Sequence, residues 1–146
     1  MKKIWVDADP GVDDTVALAM LFESPEIVDI IGISTVYGNS DVDQTTRNAK
    51  ILFEAALKSN LAIARGAYRP LVVPLDTSPF VHGKNGMGDM RLPVPTMAES
   101  VLRAPEAMIK AILDHPHQIT LFLIGPLTNA AMALILEPSI VELVKD

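Results

Sequence analysis

The sequence contains no cysteine. Disulfides and thiolate metal sites are therefore excluded, and a reducing cytoplasm is the expected compartment. Runs of Lys and Arg never exceed two residues, and the net charge is −6. A protein that grips nucleic acid through its phosphates needs a basic face, so that class is set aside. No window approaches the roughly 20 apolar residues of a membrane span, and no membrane partner is expected. Lys2-Lys3 precede an apolar stretch, but it breaks at Asp7, too early for the hydrophobic core of a signal peptide. What is present is a 146-residue chain that is 49% hydrophobic. That length supports one domain, 1–146, with a real core.

Apolar runs alternate between two periods. Lys3 to Val6 reads as a first strand, and Pro10-Gly11 as the turn after it. A helix then starts at Asp13 or Asp14, where a carboxylate suits the unpaired N–H groups and positive dipole of a helix start. Val16, Ala17, Met20 and Leu21 give it an apolar face, and Ser24-Pro25 stop it. Val28 to Val36 is nearly continuous in β-branched and apolar residues, as in a strand covered on both faces. A helix from Val42 to Leu57 and a strand from Leu61 to Ala64 follow. Residues 66–97 hold five prolines and four glycines with little periodicity. A structureless stretch of that length is usually functional, and it reads as an active-site flap. A helix from Pro105 to Asp114, a strand from Gln118 to Ile124, a helix from Leu127 to Leu136 and a short helix after Pro138 complete the chain. The order predicts an α/β fold: a parallel sheet flanked by helices on both faces.

Ligands of such sheets collect at the carboxyl ends of the strands. Asp7, Asp9, Asn39 and Ile124 all fall there, which predicts one shared rim. The stretch Asp7-Ala8-Asp9-Pro10-Gly11-Val12-Asp13-Asp14 places four carboxylates directly after a buried strand. Like charges so close are costly unless a cation or a polyhydroxylated ligand sits among them. Asp9 and Asp14 are the candidate metal ligands, with the Ile124 carbonyl as a third oxygen. Asp9 is also the candidate acceptor of a proton from water. The Asn39 amide could bind a hydroxyl, although Gly-Asn is also ordinary turn chemistry. His82, within His82-Gly83-Lys84-Asn85-Gly86-Met87-Gly88, could stack on a heterocycle or remain a solvated loop residue. Thr128-Asn129 reads as helix capping and close packing.

Five segments carry a resemblance to a known family: DADPGVDD at 7–14, TVYGN at 35–39, TTRNA at 45–49, HGKNGMG at 82–88 and IGPLTNAAMAL at 124–134. In these, the chain resembles the inosine-uridine preferring nucleoside hydrolases, calcium-dependent N-ribohydrolases that split nucleosides into ribose and free base. The resemblance implies that Asp9 is a Ca²⁺ ligand and the general base, Asp14 a second ligand and Ile124 a third through its main-chain oxygen. It implies that Asp13 and Asn39 grip ribose hydroxyls, that Asp7 supports the cluster from behind, and that His82 lies on the base-binding side. Family members are longer. Their distal half supplies another calcium-binding aspartate, further ribose contacts and usually a histidine that protonates the leaving base.

The chain is accordingly expected to be an amino-terminal portion, a truncated product or half of a split protein, with weak metal binding and very low turnover alone. Its expected ligand is a nucleoside or ribose-like molecule. Its expected protein partner is a second copy or a complementing carboxy-terminal half. Two other classes compete: a nucleoside- or sugar-binding module without activity, and a haloacid dehalogenase-type phosphohydrolase that would use Asp7 as nucleophile.

Overall fold

The computed structural model describes residues 1–58 and 60–146. The elements in chain order are β1 (Lys2–Ala8), α1 (Val12–Phe22), β2 (Val28–Thr35), α2 (Val42–Ala55), β3 (Ile63–Arg65), α3 (Pro79–His82), α4 (Ala104–Asp114), β4 (Ile119–Leu123), α5 (Thr128–Leu136) and α6 (Ile140–Leu143). The four strands pair in parallel in the order β3-β2-β1-β4. All four carboxyl ends therefore lie on one rim.

Alternation along β1 divides the interior into two layers. Ile4 and Val6 meet Leu18 of α1 and Ala49 and Phe53 of α2. Trp5 meets the other layer, built from Met108 and Ile112 of α4, Ala130 and Ala133 of α5 and Ile140 of α6. Helices cover both faces, as the alternation of elements predicted. Phe22 and Phe53 pack edge to face, with ring centroids 4.9 Å apart.

Register slips where β1 meets β2. Ile4 pairs with Ile30 but Trp5 with Gly32, so Ile31 is an extra residue. The indole lies on bare backbone there: a Cβ on Gly32 would fall 2.4 Å from Cζ3 of Trp5. Trp5 Nε1 donates to Ser34 Oγ at 2.9 Å, which satisfies its buried N–H. On the outer edge of β4, Lys145 N–H donates to Ile119 O at 2.8 Å, and Leu121 N–H donates to Asp146 O at 2.9 Å.

Three local expectations need correction. α1 begins at Val12, with Gly11 at its cap, and Asp14 lies inside the first turn. Its inward face carries Asp14 and Leu18, whereas Val16 and Met20 face outward. An anchor at Asp14 fixes this phase, because the 3.6-residue period carries Asp14 onto Leu18 and away from Val16 and Met20. β3 lies at Ile63–Arg65, shifted toward the carboxyl end, because Ile33, Ser34 and Thr35 select those partners. Within residues 66–97 the helix α3 was not anticipated.

Candidate active site

β1 delivers Asp9 to the rim, and Pro10-Gly11 turn the chain into α1. Asn39, from the segment after β2, binds both acids of this turn. Its main-chain N–H donates to Asp9 Oδ2 at 2.7 Å. Its Nδ2 donates to the Asp9 carbonyl at 3.0 Å and to Asp14 Oδ2 at 3.0 Å. Gly11 N–H adds a bond to Asp14 Oδ2 at 3.2 Å. Two glycines allow the close packing. A Cβ on Gly38 would lie 2.0 Å from Asp9 Oδ2, and one on Gly125 would lie 3.0 Å from Asp9 N and Oδ1. The exit of β4, where Ile124 sits, is thus pressed against Asp9.

Asp7 points to the opposite layer. Asp7 Oδ1 accepts bonds from Ser34 Oγ at 2.5 Å and from Asn129 Nδ2 at 2.8 Å. Its main-chain carbonyl takes the N–H groups of Ile124 at 2.9 Å and Gly125 at 3.2 Å. Asp7 therefore fixes the end of β4 beside Asp9 without reaching the rim itself. It is fully buried, an unsuitable place for the attacking carboxylate of a dehalogenase-type phosphohydrolase.

Burial dominates the electrostatics. Desolvation lifts the Asp9 carboxyl to about 7, against the Asn39 bond and with the negative charges of Asp14 and Asp13 adding to the rise. Asp14 is raised for the same first reason, opposed by Gly11 N–H and reinforced by Asp13. Burial takes Asp7 to about 6, opposed by its bonds to Ser34 and Asn129. Among the described residues, Asp7 Oδ2 and Asp14 Oδ1 are buried and have no hydrogen-bond partner. A buried carboxylate oxygen left unpaired is costly, and a cation removes that cost.

Asp13 and His82 stand at the mouth. The Asp13 side chain is 75% exposed, and its Oδ1 lies 3.7 Å from His82 Nδ1. Val12 N–H reaches the same ring nitrogen at 3.4 Å, a long bond. Nδ1 cannot serve both at once: accepting from Val12 needs a bare nitrogen, and donating to Asp13 needs an N–H. The structure thus brings Asp9, Asp14 and Asn39 into direct contact, sets Ile124 beside them, places Asp13 and His82 at the mouth, and holds Asp7 behind.

Among the described residues, no three His, Cys, Asp or Glu side chains converge as a metal cluster. The candidate set consists of two carboxylates and one carbonyl, all hard oxygen donors. A cavity of about 660 Å³ is bordered by Arg65, Tyr68, Arg103 and Met132 and touches neither Asp9 nor Asp14. Charge and burial, not cavity size, mark the chemistry here.

Two residues of this neighbourhood escaped sequence reasoning in their actual role. Asn129 does not cap α5. It is fully buried; its Nδ2 donates to Asp7 and, at 3.0 Å, to Thr35 O, and its Oδ1 accepts from Ala67 N–H at 2.8 Å. Ser34 links Trp5 to Asp7. An internal polar residue within an apolar strand was the available signal, because such a group needs a partner.

The sequence model described as inosine-uridine preferring nucleoside hydrolase matches residues 4–146. The chain belongs to that family. It is 40% identical to the inosine-uridine preferring nucleoside hydrolase of Crithidia fasciculata, over 99% of this chain and 46% of that protein. It is 39% identical to uridine nucleosidase 1 of Arabidopsis thaliana, over 99% of this chain and 43% of that protein. The fold superimposes on a plant nucleoside hydrolase with a TM-score of 0.93 at 33% identity, covering 99% of this chain and 46% of the other. A purine-preferring ribonucleoside hydrolase from Gardnerella vaginalis gives 0.92 at 30% identity, with the same coverage. The chain thus spans just under half the length of these relatives.

Proposed function

We propose that this chain supplies one wall of a calcium-dependent N-ribohydrolase site. The carrying observation is the buried pair Asp9 and Asp14, held together by Asn39, whose main-chain N–H binds Asp9 Oδ2 and whose side-chain amide binds Asp14 Oδ2, with Asp14 Oδ1 left unpaired among the described residues. Asp9, Asp14 and the Ile124 carbonyl would hold the ion. Calcium takes about six to eight oxygens, so water, substrate hydroxyls or further protein oxygens would complete the shell. When bound, the cation would lower the cost of the clustered charge and acidify water beside Asp9.

The remaining chemistry belongs to the side chains. Asp9 is the group placed to accept the proton of the attacking water, and a cation beside it would keep its carboxylate ionised for that role. The carboxylates also stabilise the positive charge of an oxocarbenium-like sugar. Both Asn39 amide hydrogens are engaged, so a ribose hydroxyl would meet its carbonyl oxygen. Asp13, exposed at the mouth, would accept a second hydroxyl. His82 would border the base, and residues 66–97 would form the flap over it.

We place the chain in the cytoplasm, as one domain, with a nucleoside as ligand. A second copy or a complementing carboxy-terminal half would close the site. No helix among the described residues is long and apolar enough to cross a membrane.

The test is calorimetry with Ca²⁺ and ribose, together with nucleoside hydrolysis with and without Ca²⁺. The expected result is weak calcium binding that Asp14→Asn abolishes, and very low turnover. Calcium binding unchanged in Asp14→Asn would overturn the ligand assignment.

A further inference from the structure

Three segments meet at one side chain that the proposed chemistry does not use. Asn48 lies on the inward face of α2 and is fully buried. Its Nδ2 donates to Pro10 O at 2.9 Å and to Asn85 O at 2.9 Å. Its Oδ1 accepts from Gln44 Nε2 at 2.8 Å. Both hydrogens of one amide thus bind two carbonyls, one on the turn that follows Asp9 and one on the loop that follows His82. The carbonyl of Pro10, a buried residue, would otherwise lose its partner away from water.

The same contact is closed from the loop side. Gly86 has φ +72, and a Cβ there would lie 3.0 Å from Asn48 Nδ2, 3.2 Å from Ser40 Oγ and 3.6 Å from Pro10 O. The loop backbone therefore rests directly on Asn48 and on the turn. The rest of the loop is tied to itself. Asn85 Oδ1 accepts from Met87 N–H at 2.9 Å and Asp89 N–H at 3.0 Å, and Asp89 Oδ1 accepts from Lys84 N–H at 2.7 Å. A loop stiffened in this way moves as a piece. Thr15 Oγ1, whose proton goes to Gly11 O at 2.6 Å, also touches Met87 Sδ at 3.2 Å.

We infer that Asn48 is a positioning residue that couples loop 83–90 to the Pro10-Gly11 turn, so that ordering either segment orders the other. Coupling of this kind is reciprocal. On the ribohydrolase reading, on which this consequence rests, Asn48 sets where the substrate-facing loop stands relative to Asp9. Asn48 itself touches neither the acids nor the proposed ligand position.

Amide hydrogen exchange on the full 146-residue chain, without metal or nucleoside, tests the coupling separately from any ribohydrolase activity. Gly86→Ala disturbs the loop directly, because a side chain there is strained and crowded. It is expected to speed exchange at the Gly11 amide, on the other side of Asn48, by roughly tenfold, the scale of one lost hydrogen bond. In an Asn48→Asp background, which keeps the volume but removes both donors, most of that effect should vanish. Gln44→Ala, which removes only the bond to Asn48 Oδ1, should leave the Gly86→Ala effect on Gly11 in place. A Gly11 amide indifferent to Gly86→Ala would overturn the inference, and so would an effect equally large without the Asn48 amide. If Asn48→Asp proves unfolded, Asn48→Ala, which removes the same donors without adding a charge, takes its place as the background with the same two outcomes, and a Gly11 amide indifferent to Gly86→Ala in the otherwise unaltered chain still overturns the inference.

Discussion

Raising the pH from 5 to 8 without calcium should destabilise this protein, and the carboxylates set the scale. Asp7 is shifted from 3.8 to about 6, and Asp9 from 3.8 to about 7. The folded state holds these protons more tightly than the unfolded chain. The stability they contribute is fully present below the unfolded value and is lost as pH rises through the folded values. At 1.36 kcal/mol per unit, Asp7 corresponds to about 3 kcal/mol and Asp9 to about 4 kcal/mol over their full titrations, of which about 1 and about 3 kcal/mol are lost between pH 5 and 8. Those are large fractions of the roughly 5–15 kcal/mol that holds a domain folded. Glu99 has the opposite sign: hydrogen bonds from Arg65 and Lys50 hold it at about 2, so its contribution is present above 4.5 and is lost on acidification. Stability should therefore peak near pH 4 and fall toward pH 8. Urea unfolding midpoints across that range, in chelator, measure the slope. Asp9→Asn should flatten it by roughly two thirds and raise the midpoint at pH 8. Calcium should restore stability at pH 8 by mass action on the ionised acids. A stability that stays level or rises from pH 5 to 8 would refute the reasoning, as would an Asp9→Asn protein with an unaltered slope.

Other substitutions probe the scaffold behind the acids, each read by urea unfolding. Gly32→Ala forces a methyl into the Trp5 ring, where its Cβ would lie 2.4 Å from Cζ3, and should cost about 1–3 kcal/mol; a neutral result would show that the indole moves aside freely. Asn129→Ala removes one of the two bonds to Asp7 Oδ1 together with those to the Thr35 carbonyl and the Ala67 N–H, and should cost about 3 kcal/mol; a loss below about 1 kcal/mol would mean that water replaces all three bonds. Phe53→Ala removes a fully buried ring that packs on Phe22 and should cost about 3–5 kcal/mol; a smaller change would show that the α2 layer collapses to fill the space.

Much of the fold was readable because period and punctuation agreed. The nearly continuous apolar run of β2 and the alternation of helices and strands required a covered parallel sheet. On α1 Leu21 packs inward as expected, but Val16 and Met20 face outward; apolar residues surround this helix, and only the contacts of Asp14 decide which side turns inward. The site was legible as a concentration of acids, since four carboxylates in eight residues demand an explanation. The supporting amides were not. Asn48 and Asn129 act across distances of 38 and 122 residues, and no local pattern reveals which carbonyl a buried amide will meet.

The protein has one tryptophan, and its indole N–H begins a relay through the Ser34 hydroxyl to Asp7 Oδ1. The chain therefore carries its own optical gauge of this region. Emission from Trp5 should respond when the carboxyl behind it gains or loses a proton, so ionisation can be followed in an unlabelled sample.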